Sequence, residues 1–329
     1  MRIPLIFFAA SLSVLAQTNP HRTDWSHAAR WGVFTHYLAD KGTSVEDWNR
    51  RVDGFDVELM ARQLERVGAR YYFITLGQNS GHYIAPNAAY DRHTGIRPSK
   101  CARRDLVADL HKALSARGIR LLVYLPSGAP DEDEPAMKAL GWRKSGFDYG
   151  FTEGGAGLRL VEFQRKWESV IREWSMRWSN RISGWWFDGC YWPNAMYRHA
   201  DPPNFASLAA AARAGNPQSI VAFNQGVIVP ILSITPEEDY TAGEINDPVP
   251  VRSNGRWRDG AQFHMLSYLG KAWAQGPPRF TDEQAVQFTK QIVDKGGVVS
   301  WDVPVRWNGE IPGEFLQQLL AIRRVSDVK

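Results

Sequence analysis

Short runs of aromatic and β-branched residues alternate with longer amphipathic runs along almost the whole chain, and this alternation restricts the fold more than any other feature. Strands are expected at residues 31–38, 69–77, 119–125, 182–190, 219–225, 240–244 and 297–303. Helices are expected at 57–68, 105–118, 163–179, 203–215, 281–295 and 314–325, several opened by an Asp or Thr and closed by a Gly. Residues 261–268 are ambiguous and can be read as the helix before a seventh strand. Such alternation implies parallel strands joined by crossover helices. About eight strands suit an α/β fold of the (β/α)8 TIM-type barrel, which typically takes about 250 residues before insertions. A doubly wound open sheet would carry a glycine-rich phosphate loop after its first strand. Here the first strand runs into THYLADKGTSVEDW, with neither that loop nor a Walker motif. No Pro-, Gly- or Ser-rich linker interrupts the chain, so one domain is expected over residues 17–329.

Residues 1–16 are expected to be a signal peptide. Arg2 supplies the positive start, residues 3–15 are apolar apart from Pro4, Ser11 and Ser13, and Val14 and Ala16 place small residues at −3 and −1 of a cleavage site before Gln17. The run is shorter than the about 20 residues of a membrane anchor. The same residues also read as an ordinary N-terminal core segment. Export to the periplasm or outside is the expectation, without a membrane span. Two cysteines, Cys101 and Cys190, are too few for a disulfide framework, and both one bridge and two buried thiols remain open. With 44% hydrophobic and 22% charged residues, disorder, collagen and coiled coil are excluded. The net charge of +4 comes from scattered Lys and Arg, which argues against nucleic acid as a partner. Oligomeric state is left open.

In a (β/α)8 barrel the chemistry sits at the C-terminal ends of the strands. Those ends carry Phe34-Thr35-His36-Tyr37, Gly77-Gln78-Asn79-Ser80-Gly81-His82, Trp186-Phe187-Asp188-Gly189, Phe223-Asn224-Gln225, Gly243-Glu244 and Trp301-Asp302. Asp188 closes an apolar strand and shares a face with Trp186. A carboxylate walled by indoles suits attack on, or stabilisation of, an oxocarbenium-like centre. Asp-Gly is equally a turn signal. Glu244 is the second carboxylate, a candidate acid whose pKa rises if it is enclosed; it reads also as a solvated loop acid near Glu237, Glu238 and Asp239. His36, Gln78, Asn79, His82 and Asn224 are candidate binders of sugar hydroxyls, and Trp48, Trp186, Trp273 and Trp301 candidate stacking walls. A lone His or Trp is more often a core residue. No H-E-x-x-H, no His-x-His at a strand end and no G-x-S-x-G is present, so neither a metal nor a cofactor is implied.

Taken in chain order, these segments resemble glycoside hydrolase family 29, the α-L-fucosidases. The stretch from Trp31 to Tyr37 (WGVFTHY) is similar to the family's aromatic-G-M-F-I-H-W, and Glu46-Asp47-Trp48 to its E-W-Y. Gly68-Ala69-Arg70-Tyr71 resembles its G-A-K-Y, Trp186-Phe187-Asp188-Gly189 its W-F-D-G, Tyr240-Thr241-Ala242-Gly243-Glu244 its Y-x-T-P-E, and Asp294-Lys295-Gly296-Gly297 its V-S-K-G-G-N. The resemblance spans roughly residues 24–326 and covers the catalytic barrel only, without the family's common C-terminal β-sandwich. It implies a retaining hydrolase of a terminal α-linked sugar on an oligosaccharide or glycoconjugate, with Asp188 as nucleophile and Glu244 as acid/base. Glu153, after the third strand, is the alternative acid. Two departures stand out. Gly77-Gln78-Asn79-Ser80-Gly81-His82 replaces K-H-H-D-G-F, so the adjacent His pair that grips fucose is missing, and Ser300-Trp301-Asp302-Val303-Pro304 replaces L-N-V-G-P. Another retaining glycosidase, α-galactosidase-like, and a glycan-binding pseudoenzyme are the alternatives.

Overall fold

Local capping starts most of the helices where the sequence places them. Asp56, Asp105 and Thr281 accept hydrogen bonds from the backbone N–H groups of Leu59, Ala108 and Gln284, filling donors that a helix leaves open at its first turn. In this computed structural model residues 21–143, 159–191, 197–247 and 255–327 are described. The expected leader, residues 1–16, and Glu153 lie outside them.

The first half of the chain gives α1 (Asp24–Ala29), β1 (Trp31–Thr35), α2 (Val45–Asp53), α3 (Val57–Val67), β2 (Tyr71–Thr75), α4 (Ala88–Thr94), α5 (Leu106–Ser115), β3 (Arg120–Pro126) and α6 (Glu134–Leu140). The second half gives α7 (Val161–Trp178), β4 (Gly184–Asp188), α8 (Phe205–Ala212), β5 (Ile220–Phe223), β6 (Trp257–Arg258), β7 (Ala261–Gln262), β8 (His264–Tyr268), α9 (Asp282–Val293), β9 (Val298–Asp302), α10 (Gly313–Ile322) and α11 (Arg324–Asp327). Seven strands form one curled parallel sheet in the order β5-β4-β3-β2-β1-β9-β8, flanked by the helices. The short pair β6–β7 is antiparallel.

The expected sixth strand at 240–244 makes only isolated bridges, Tyr240 with Gln262 and Glu244 with Leu266. Its segment nevertheless fills the gap between the two sheet edges. Asp239 N–H donates to Val221 O on β5 at 2.9 Å, and Ile245 N–H donates to Leu266 O on β8 at 3.0 Å. Gly243 has φ +64 and approaches so closely that a Cβ there would lie 2.0 Å from His264 O. No other residue fits that crossing, and its left-handed backbone breaks the regular ladder. The segment thus occupies the sixth position of a barrel-like ring. Residues 261–268, read as a possible helix, are instead β7 and β8. Residues 261–267 are all buried, and a strand covered on both faces loses the alternation that would identify it.

The strands divide the core by their period of two. Trp31, Val33, Tyr72, Ile74, Val123, Trp185, Phe187 and Trp301 point out against the helices. Phe34, Phe73, Leu122, Tyr124, Trp186, Ala222 and Leu266 fill the barrel interior. Most of the tryptophan is structural: Trp174, Trp178 and Trp185 follow one another at 6.0 and 6.1 Å between ring centroids, joining α7 to β4. Cys101 and Cys190 are buried free thiols. Among the described residues no helix is long and apolar enough to cross a membrane.

Candidate active site

Strands β1, β3, β4 and β8, the loop after β2 and the 240–244 segment border one cavity of about 390 Å³. Its lining includes His36, Gln78, Tyr124, Trp186, Asp188, Glu244 and Trp273. The cavity is therefore at the face where barrel chemistry is expected.

Asp188 is the most closely held group. Its Oδ1 accepts from Gly189 N–H at 2.8 Å, Asn224 Nδ2 at 2.8 Å and Tyr191 Oη at 3.3 Å, while Oδ2 accepts from Tyr124 Oη at 2.6 Å. One oxygen is thus tied by three donors and the other by one. Burial and then the Asp188 charge push the Tyr124 phenol well above its usual pKa, which keeps it a donor. Gln78 Nε2 donates to the same phenol oxygen at 2.6 Å, forming the line Gln78–Tyr124–Asp188. Tyr124 pairs in register with Trp186 across β3 and β4, and their rings stack at 5.4 Å.

Asn224, just past the end of β5, joins the two carboxylates: its Nδ2 donates to both Asp188 Oδ1 and Glu244 Oε2. Burial, followed by the Asp188 charge, raises the Glu244 pKa to about 7, against the opposing effects of the Asn224 bond and His36. Such a carboxyl is poised to give up or take a proton near neutrality. His36 Nδ1 pairs with Asp302 Oδ1 at 2.9 Å. Burial opposes protonation of His36, but the Asp302 carboxylate outweighs it and the net shift is upward.

The structure brings together Asp188, Glu244, His36, Gln78, Trp186, Asn224 and Trp273. Asn224 reaches the pair as their common donor. Asn79 stands aside, in an adjoining cleft of about 40 Å³ that also touches Gln78, Tyr124 and Asp188. Trp48 and His82, expected to contact substrate, do not line the cavity. Trp48 is fully buried and its Nε1 donates to Tyr83 O at 2.9 Å. His82 packs edge-on against Trp48 at 6.0 Å, and burial and then Lys100 depress its pKa to about 4. The turn at Gly81, with φ +76, carries the chain inward, so a loop that looks polar buries its histidine. Trp301 is likewise core, with its Nε1 on Thr289 Oγ1 at 2.9 Å. Tyr124 and Tyr191 do not stand out in the sequence, and Asp302 does so only as the tip of the last strand. For Tyr124 the available signal was its place near the end of the third strand. Among the described residues no cluster of His, Cys, Asp and Glu could hold a metal ion.

Several solved structures share this architecture. The endo-fucoidan hydrolase MfFcnA4 of glycoside hydrolase family 107 aligns with a TM-score of 0.70 at 20% identity, over 92% of this chain and 53% of that one. The endo-fucoidan hydrolase P5AFcnA of that family gives a TM-score of 0.65 at 16% identity, over 92% and 93%. Alpha-L-fucosidase AlfC from Lactobacillus casei, in complex with alpha-L-fucose product, gives 0.63 at 15% identity, over 93% and 98%. The chain spans about half the length of MfFcnA4. At these identities the likeness shows the fold. No curated protein sequence is significantly similar to the chain. The family model for alpha-L-fucosidase, however, matches residues 16–325, nearly the full length, and the chain belongs to the alpha-L-fucosidase family of glycoside hydrolases.

Proposed function

We propose that this protein is a fucose-cleaving hydrolase that works by double displacement with retention. The observation that carries the reading is the pair Asp188 and Glu244 sharing one amide nitrogen of Asn224 in the barrel-mouth cavity. That shared donor keeps their nearest oxygens within about 5 Å, in keeping with the about 5–5.5 Å of retaining enzymes rather than the about 6.5–9.5 Å of inverting ones. Asp188 Oδ2, the less hydrogen-bonded oxygen, attacks the anomeric carbon. Glu244 protonates the departing oxygen and then takes a proton from the water that releases the sugar. Trp186 and Trp273 provide apolar walls, while His36 and Gln78 meet ring hydroxyls.

The preferred ring is a substituted or polymer-linked fucose rather than a plain terminal fucoside. Gln78 is committed to Tyr124 and is a neutral donor, unlike the His pair whose place it takes. A site built around one hydroxyl pattern can reject another by about 10⁴–10⁵-fold. Export, with cleavage after Ala16, belongs to the same reading; a mature N-terminus other than Gln17 would refute that part.

The deciding experiment measures kcat/KM on nitrophenyl α-L-fucoside, α-galactoside, arabinoside and rhamnoside and on natural fucose-containing oligosaccharides, with proton NMR of the anomeric product. Retained α-fucose from an oligosaccharide supports the proposal. Galactoside as the best substrate favours the α-galactosidase-like alternative, and calorimetric binding without turnover favours the pseudoenzyme. Plain fucoside as the best substrate by a wide margin removes the claim about substitution.

A further inference from the structure

We propose that Asp302 is the positioning residue of the sugar cavity: one oxygen anchors His36 and the other anchors the turn that carries Trp273, fixing the spacing of two walls. What fills the cavity follows from the fucoside reading; the coupling itself follows from geometry.

Asp302 ends β9 and is fully buried, whereas His36 follows β1 and faces the cavity. Its Oδ1 meets His36 Nδ1 at 2.9 Å, and its Oδ2 accepts the Ala274 N–H at 2.6 Å. A buried carboxylate needs such donors, and these two reach it from separate parts of the barrel rim. Residues 272–275 form a tight turn in which Ala272 and Gln275 exchange backbone bonds at 3.1 and 3.2 Å, with Trp273 and Ala274 at the tip. Ala274 adopts φ +53, a left-handed conformation unfavourable for a residue with a Cβ. The bond to Asp302 holds that turn in place. It also aims Trp273, whose ring lies 5.9 Å from that of His36. The Asp302 carbonyl accepts Leu269 N–H at 3.0 Å, so the base of the same loop is fastened to this residue.

The charge matters as well as the shape. The groups facing His36 are Asp302 from β9, Asp188 from β4, Glu244 from the irregular segment and Tyr124 from β3; its other neighbours, Phe34 and Trp273, carry no charge. With Nδ1 turned to Asp302, a protonated His36 presents Nε2–H to the cavity. An asparagine at 302 would have one acceptor oxygen for two donors and no charge to hold the imidazolium.

The test is Asp302→Asn, with His36 followed by NMR titration of its imidazole in the sugar-free protein and with kcat and KM measured on nitrophenyl α-L-fucoside. The imidazole pKa is expected to fall by at least about one unit, since the charge that favours the cation is gone. KM should rise about 10-fold or more, the scale of losing a hydrogen bond to a charged group, with a smaller loss in kcat. In a His36→Gln background, Asp302→Asn should cost less than it does in the wild type, because one of its two arms is already absent. An unchanged His36 titration, or additive losses in the double variant, overturns the proposal. Should Asp302→Asn not fold, the wild-type titration decides: an imidazole pKa at or below the ordinary value of about 6.5 overturns it. A wild type inactive on every fucoside sinks the substrate reading, while the titration still decides the role of Asp302.

Discussion

Glu238 and Glu244 belong to the same irregular segment, and burial raises both to a pKa of about 7, yet their surroundings differ. Glu238 is enclosed. Its Oε1 accepts Phe223 N–H at 2.8 Å, and its Oε2 accepts Ile234 N–H at 2.8 Å and Ser233 Oγ at 2.7 Å. It fastens the backbone just before Asn224 to the crossing segment. Glu244 instead accepts from Asn224 and borders the cavity beside Asp188. A raised pKa therefore does not mark an acid catalyst by itself. The proposed role of Glu244 rests instead on its place at the cavity, next to a second carboxylate.

The strongest challenge to this contrast is removal of the carboxylate that only one of the two glutamates adjoins. Asp188→Gly should abolish turnover, and azide should restore it on an activated fucoside by occupying the vacated space. Activity that survives without azide would leave Glu244 with no nucleophile to serve. Glu244→Ala should lower kcat by about 10²–10⁴-fold on substrates with poor leaving groups. Nitrophenyl fucosides, which depart with little protonation, should lose far less, and equal losses on both would show that Glu244 is not the acid.

The pH dependence separates the glutamates next. In the proposed mechanism Glu244 is protonated to assist departure, so kcat/KM should decline on the alkaline side near pH 7, where burial and the Asp188 charge place its titration. In Asp188→Asn the neighbouring negative charge that helps raise Glu244 is lost, so its carboxyl should titrate lower by carbon-detected NMR. Glu238, whose shift is set chiefly by burial against its bonds to Phe223, Ile234 and Ser233, should move far less in the same spectrum. The smallest effect on catalysis is expected at Glu238→Gln. It should cost about 1–3 kcal/mol of stability, because an amide NH2 then faces a backbone donor. Denaturant melts and kcat/KM measured well below the melting point check this; a loss of activity matching Glu244→Ala would erase the distinction.

Much of the site could be read because strand ends carry it. The apolar run ending in Asp188 gave both a strand and its polar tip, and the period of two put Trp186 on the interior face beside it. Other assignments failed where the chain leaves that period. His82 follows a strand and Trp48 lies near a motif, but the turn at Gly81 takes His82 into the core and Trp48 is on the buried face of α2. Tyr124 is not legible as a site residue because a tyrosine in an apolar strand looks like packing, and only the fold shows its hydroxyl reaching Asp188.

By itself the sequence determined the repeating strand–helix order, the capped helix starts and the chain's membership of its family, since these depend on residues close together or on motifs in order. Tertiary structure alone decided that residues 240–244 cross the ring without a regular ladder, that Asn224 spans Asp188 and Glu244, and that Asp302 answers His36 from the far end of the chain. The reason is physical. Local propensity acts over one turn or one strand, whereas a buried carboxylate takes its donors and its pKa from whatever the closed barrel brings within about 3 Å, however distant in sequence.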